Sequence, residues 1–252
     1  MISFERLGYF GRLGNQMFQY ASLIGFATYS NQSWGIPARN SKDIEIGGLG
    51  YQERFVLNDL FDLNYETNIS PKRRFMENGQ LVKLPEDTDI HGYFQSSKYF
   101  KHCSDELRKQ FTFKKEIQEA TDEYNDLTNH VSVHVRRGDY TGLSDFHPLL
   151  GIEYYEQAMA QFKGDKFVFV SDDIEWCKET FGPSHSYAET NSMFVDFCLM
   201  SRCKGHIIAN SSFSWWGAWL GGGKTVAPRK WFGPKLEYRN DGSIYEKDWF
   251  IC

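Results

Sequence analysis

Cysteine is scarce, and its placement cannot build a framework. The five residues, Cys103, Cys177, Cys198, Cys203 and Cys252, are odd in number and contain no C-x-x-C pair. They offer neither a disulfide scaffold nor a zinc site, and they suit a reducing compartment. No apolar run reaches the roughly 18 residues that would announce a membrane span. The opening Met1-Ile2-Ser3-Phe4-Glu5-Arg6 lacks the basic-then-apolar layout of a signal peptide. The expectation is a cytoplasmic protein without a transmembrane segment, for which peripheral membrane contact stays open. A positive surplus is missing too. A formal charge of -5 over 252 residues argues against a nucleic-acid binder, whose phosphate contacts need a basic surface. No internal repeat or low-complexity tract stands out.

Core material, by contrast, is plentiful. Hydrophobic residues make up 41% and aromatics 17%, far from a disordered composition. From about residue 130 the chain alternates between short apolar runs and helical patterns. Residues 131–135, 167–171, 206–209 and 225–227 read as buried strands. Residues 154–162, 174–180, 192–202 and 213–220 carry apolar side chains at helical spacing. Asp172 or Asp173, Asn191 or Ser192, and Ser211 or Ser212 are placed to cap the last three of these helices. Such alternation implies right-handed βαβ units and a parallel sheet, a Rossmann-like α/β half. The first half offers a short strand over residues 2–7, a glycine turn, a helix over 16–29 and a loop-rich stretch from 30 to 95. A charged helix over 104–124 bridges the halves.

Four motifs carry chemistry. Val131-Ser132-Val133-His134-Val135-Arg136-Arg137-Gly138-Asp139-Tyr140 is a β-branched strand ending in two arginines and an aspartate. Strand ends in α/β sheets hold ligands, and a guanidinium fork matches phosphate or carboxylate. Alternation puts His134 and Arg136 on one sheet face, with Arg137 on the other or in the loop. One arginine binding phosphate while the other pairs with Asp139 divides the labour; an ion pair that merely staples the loop is the competing use. His134, in a buried strand, equally suits a satisfied core position.

Gly11-Arg12-Leu13-Gly14-Asn15-Gln16 opens a helix whose backbone N–H groups and dipole can face an anion. The G-x-G-x-x-G spacing is absent, so a plain turn competes. The amides of Asn15 and Gln16 can donate to and accept from sugar hydroxyls. Asp172 and Asp173 end another strand, where carboxylates suit a ribose diol, a base edge or a helix cap. The only literal D-x-D, Asp87-Thr88-Asp89, reads as a turn beside Pro85 rather than a metal site. Last, Asn210-Ser211-Ser212-Phe213-Ser214-Trp215-Trp216-Gly217-Ala218-Trp219-Leu220 sets hydroxyls and N–H groups at a helix mouth, an anion cradle. Its three tryptophans anchor the helix or line a cleft.

Together these residues resemble family 11 glycosyltransferases, the α-1,2-fucosyltransferases. The match runs in order through the Gly11–Gln16 motif and on to Ala21. It continues through Gly92-Tyr93-Phe94-Gln95-Ser96-Ser97-Lys98-Tyr99-Phe100, His134 to Tyr140, His147-Pro148, Ser171-Asp172-Asp173, Asn210 to Leu220, and Ala227-Pro228-Arg229-Lys230-Trp231-Phe232. Only about residues 31–90 lie outside it, and the chain is shorter than many relatives. The resemblance implies an α/β fold of the GT-B type, two Rossmann-like domains facing across a cleft in a compact version. Residues 1–125 would form the acceptor-side domain and 126–252 the GDP-sugar-binding domain. It implies inverting transfer of L-fucose from GDP-L-fucose to a galactoside-terminated acceptor, without a divalent metal or other cofactor. Arg136 would hold the diphosphate, and His134 with Asp172 or Asp173 would reach the guanosine. Ser211 and Ser212 would complete the cradle. Arg137, Asn210, Phe213 and Gly14 are further donor-side candidates. Arg136, Asn15 and Asp139 are the catalytic candidates, Asn15 orienting the acceptor hydroxyl and Asp139 being the available carboxylate. Other readings are an α-1,3 transferase, use of another GDP-sugar, or a sugar-nucleotide or glycan binder without catalysis.

Overall fold

A short parallel sheet and one nearly fully buried helix organise the first part of the chain. The computed structural model describes residues 1–38, 44–46 and 52–252 and divides into two units, Met1–Lys114 and Lys115–Cys252. In the first unit, β1 (Ile2–Ser3), β2 (Trp34–Gly35), β5 (Arg73–Met76) and β6 (Thr88–His91) pair in parallel in the order β2-β1-β6-β5. β3 (Ile44–Ile46) and β4 (Gln52–Arg54) form a separate antiparallel pair. Helix α1 (Leu13–Ser30) is buried at every residue from Leu13 to Ala27 except Asn15. A helix apolar nearly all round belongs inside a core. Gly25 lets it touch the short helix Ser97–Tyr99, since a Cβ there would lie 2.0 Å from the Tyr99 carbonyl oxygen. Two short helices complete the unit, α2 (Leu57–Leu60) and α3 (Ser104–Gln110).

Two expectations are corrected here. The sequence Asp87-Thr88-Asp89 is not a turn throughout. Thr88 and Asp89 start β6, a central strand, and Asp89 is 2% exposed. Its Oδ1 accepts the Glu5 N–H at 2.7 Å, which makes a carboxylate tolerable inside the sheet, and burial pushes its acid up to about 6. The single helix expected over 104–124 is instead α3 and α4 (Lys115–Asp122). Phe111 and Phe113 break it by packing on Phe61 at 4.9 and 5.2 Å, because two phenylalanines gain more from burial than from a solvated helix. The division after Lys114 accordingly falls earlier than the boundary read between residues 125 and 126.

The second unit is a six-stranded, all-parallel sheet in the order β12-β11-β10-β7-β8-β9. Its elements run α4, β7 (Val131–Val135), α5 (Ile152–Met159), β8 (Phe167–Ser171), α6 (Ile174–Phe181), β9 (Ser186–Tyr187), α7 (Met193–Arg202), β10 (Gly205–Ile207), α8 (Ser212–Gly221), β11 (Lys224–Ala227) and β12 (Phe250–Ile251). All five residues of β7 are buried, as a central parallel strand covered on both faces requires. Arg202 of α7 binds Asp122 of α4 at 2.6 Å, which ties α4 to this unit. The tryptophans act as anchors: Trp215 and Trp216 are fully buried, and Trp215 Nε1 donates to the Ile244 carbonyl at 2.6 Å. Strand–helix alternation thus gives the expected α/β class. Among the described residues no helix is long and apolar enough to cross a membrane.

Candidate functional site

Strand register assembles the second unit's site. β7 and β8 pair with Val135 opposite Ser171, so the residues just beyond, Arg136 and Asp172, emerge side by side. β10 flanks β7 on its other edge and delivers Asn210, Ser211 and α8 to the same end of the sheet. Arg136 bonds Asp139, and its Nη1 meets Asp172 Oδ2 at 2.7 Å. Its guanidinium carbon lies 5.3 Å from the centre of the Tyr140 ring. Arg137 turns away: its Nε meets Asp173 Oδ2 at 3.0 Å, and its guanidinium lies 3.9 Å from the Trp176 ring centre. This reverses the expected pairing, in which Asp139 served Arg137. The reason is the short helix Gly138–Gly142, which curls Asp139 back one turn onto Arg136.

The two aspartates part, as adjacent residues leaving a strand should. Asp172 Oδ1 accepts the Arg137 N–H at 2.9 Å, and a Cβ on Gly138 would come within 2.4 Å of its Oδ2. Asp173 caps α6, accepting the Trp176 N–H at 3.4 Å. His134 is 5% exposed and stacks on Phe213 at 5.3 Å; among the described residues its Nδ1 has no hydrogen-bond partner. Burial, with Arg136 adding to it, pushes its imidazole down to about 3, so it is neutral throughout the working range. Asn210 is buried, and its Nδ2 donates to the carbonyls of Pro148 and Trp231 at 3.0 and 3.1 Å. That side chain ties loops together, leaving the cradle to Ser211, Ser212 and Phe213.

Helix electrostatics single out two positions. Helices α2 to α7 each carry an acidic residue in the first turn; α1 and α8 carry none. Neither α1 nor α8 has a side-chain cap. An acidic first turn neutralises the positive end of the helix, so these two mouths are the ones left for an external anion or dipole. In the first unit, Gly14 is buried in the first turn of α1, and Asn15 Oδ1 accepts from Gln95 Nε2 at 2.8 Å. Gln16 departs from expectation. It is fully buried, donates to the carbonyls of Gly11 and Arg54, and accepts the Val56 N–H, so it holds the turn instead of meeting sugar.

Some neighbours carried no role in the sequence reading. Tyr140 donates to the Asn210 carbonyl at 3.1 Å and stacks on His147 at 4.8 Å, forming a floor under Arg136. Burial pushes His147 down against the opposing pull of Asp139. Trp176 lies on α6, and only the fold brings it under Arg137. The signal available for Tyr140 and His147 was their membership of the matched motifs. Among the described residues no cluster of His, Cys, Asp and Glu is arranged to hold a metal ion.

The model of the family described as glycosyl transferase family 11 matches residues 7–252. The chain belongs to glycosyltransferase family 11. It is 35% identical to an alpha-1,2-colitosyltransferase of Escherichia coli, over 88% of this chain and 90% of that one. It is 32% identical to the Escherichia coli O-antigen biosynthesis glycosyltransferase WbnK, over 71% and 67%. A galactoside 2-alpha-L-fucosyltransferase of Bos taurus, SEC1, is 28% identical over 86% of this chain and 64% of its own. Among solved structures, the fucosyltransferase NodZ from Bradyrhizobium superposes with a TM-score of 0.57 at 13% identity, covering 87% of this chain and 92% of its own. POFUT1 in complex with GDP gives 0.52 at 13% identity, covering 90% and 98%. At that identity the likeness bears on fold, and the fold is α/β of the GT-B type. The chain is therefore a glycosyltransferase by family.

Proposed function

We propose that this family 11 enzyme transfers L-fucose from GDP-L-fucose to a galactose-like hydroxyl, forming an α-1,2 bond with inversion and without a divalent metal. One observation carries the reading: Arg136 and the acid-free, uncapped mouth of α8 emerge at the same end of one parallel sheet. As the sugar C1–O bond breaks, negative charge gathers on the departing GDP while the sugar takes oxocarbenium character. Pre-organised donors aimed at that charge lower the barrier. Arg136 supplies a bidentate fork, and the N–H groups of Ser212 and Phe213 with the Ser211 hydroxyl supply the rest. Asp139 and Asp172 hold Arg136 through Nη2 and Nη1, and the remaining N–H donors of its guanidinium are the ones that meet the phosphate. His134, neutral and stacked on Phe213, lends a flat surface and an unpaired nitrogen to the base. Asn15 orients the acceptor hydroxyl.

A second donor has a specific observation behind it, the 35% identity to an alpha-1,2-colitosyltransferase. Colitose is L-fucose without the 3-hydroxyl, so a single polar contact separates the two donors. The test is GDP release from GDP-L-fucose, GDP-L-colitose and GDP-mannose, with lactose as acceptor, in EDTA and in magnesium, and product linkage by NMR. The expected result is an α-1,2 fucoside formed equally well in EDTA. Preference for GDP-L-colitose would move the reading to that sugar, and a strict divalent requirement would overturn the charge-stabilisation scheme.

A further inference from the structure

Asn15 is the one residue between Leu13 and Ala27 of α1 that is not buried, and its amide is held from two sides. On one side lies Gly11, with φ of 82°, where a Cβ would fall 2.2 Å from Asn15 Nδ2. On the other, Gln95 Nε2 donates to Asn15 Oδ1 at 2.8 Å. Gln95 is brought there by a strained turn. Phe94, directly before it, is fully buried at φ 51°, a left-handed conformation that a bulky side chain adopts only when its surroundings force it.

The forcing groups are present. Glu77 Oε2 accepts the N–H groups of Tyr93 and Phe94 at 2.8 and 2.9 Å. The Phe94 ring lies among Phe4, Phe26 and Tyr99, at centroid distances of 6.1, 5.7 and 5.2 Å. With Phe94 turned into the core, its successor is presented to the mouth of α1. Backbone strain held by a carboxylate and three aromatic rings, ending in one amide-to-amide bond, is a costly way to make an ordinary loop.

We propose that Gln95 is a positioning residue for transfer, fixing which end of the Asn15 amide is offered to substrate. Because Gln95 occupies Oδ1 as a donor and the missing Cβ of Gly11 leaves room beside Nδ2, Nδ2 is the end that donates to a sugar oxygen. Holding one lone pair of that oxygen aims the other. The inference rests on the role given to Asn15 above.

The test compares wild type, Asn15→Ala, Gln95→Ala, the isosteric Gln95→Glu, and the Asn15→Ala/Gln95→Ala double variant. Acceptor kcat and KM, GDP affinity and melting temperature are measured for each. Each single alanine variant is expected to lower acceptor kcat/KM by about tenfold to a hundredfold, the scale of a misplaced contact. The double variant should be no worse than Asn15→Ala alone, because the two act as one unit. Gln95→Glu, which can only accept, should lose as much as Gln95→Ala with GDP affinity and melting temperature unchanged. Multiplying losses in the double variant, or full activity in Gln95→Glu, would overturn the positioning role while leaving Asn15 its own. Full activity in Asn15→Ala would overturn both roles, and a wild type that transfers no sugar at all would overturn the transferase reading beneath them.

Discussion

The turn from β8 into α6 and the turn from β10 into α8 are built alike, yet they end in opposite electrostatic states. At the first, Asp173 caps the helix and binds Arg137, and Glu175 follows in the first turn. At the second, no side chain caps the helix and no acid follows. The first turn offsets its own helix dipole, and the second leaves it uncompensated by any side chain. The same contrast separates the two arginines. Arg137 is stacked on Trp176 and belongs to the closed turn, whereas Arg136 stands between the two, over Tyr140. Strand ends alone therefore do not mark a binding site. What sets the second turn apart is a helix mouth without cap or acid, with the Arg136 cation nearby.

Three substitutions put that contrast to the test. Arg136→Ala carries the largest effect: transfer should fall by about two to three decades, roughly 3–4 kcal/mol of barrier, with weaker GDP binding and an unchanged fold. Retained turnover in a steady-state assay would remove Arg136 from the phosphate. Ser212→Asp gives the open mouth the acid that α6 already has. The helix should gain about 0.3–1 kcal/mol, while GDP affinity drops at least about tenfold through like-charge repulsion; unchanged affinity by calorimetry would show that the phosphate lies elsewhere. The converse change, Asp173→Ala, should cost about 1 kcal/mol of stability, seen as a melting point lower by about 2–4 °C. GDP affinity should then stay within about twofold, and a large loss would make Asp173 a ligand instead of a cap.

Much of the second unit was legible in the sequence because parallel, doubly buried strands write themselves as β-branched runs. Residues 131–135 and 167–171 coincide with β7 and β8. The first unit hid its sheet. β6 begins with Thr88 and Asp89, polar residues that look like a turn until Glu5 and Ser3 donate to Asp89 Oδ1 from 84 and 86 positions away. The two-residue strands β2, β9 and β12 are too short to show any period.

The site divides along the same line. Residue types at strand ends and helix mouths were readable, since they follow local spacing. Partnerships were not. That Asp139 serves Arg136, that Gln16 is a buried staple, and that Gln95 meets Asn15 all depend on loop curvature or on contacts across 80 residues. Gln95 stood in a matched motif without a role because its function shows only once Phe94 is seen turned inward.

In the proposed function, Arg136 and the α8 mouth receive the diphosphate of a GDP-sugar. A crystal structure of the protein with GDP tests it most directly. The expected result is a β-phosphate within hydrogen-bond distance of the Arg136 guanidinium and of the N–H groups at the start of α8. A GDP whose phosphates lie away from both Arg136 and α8 would overturn that role.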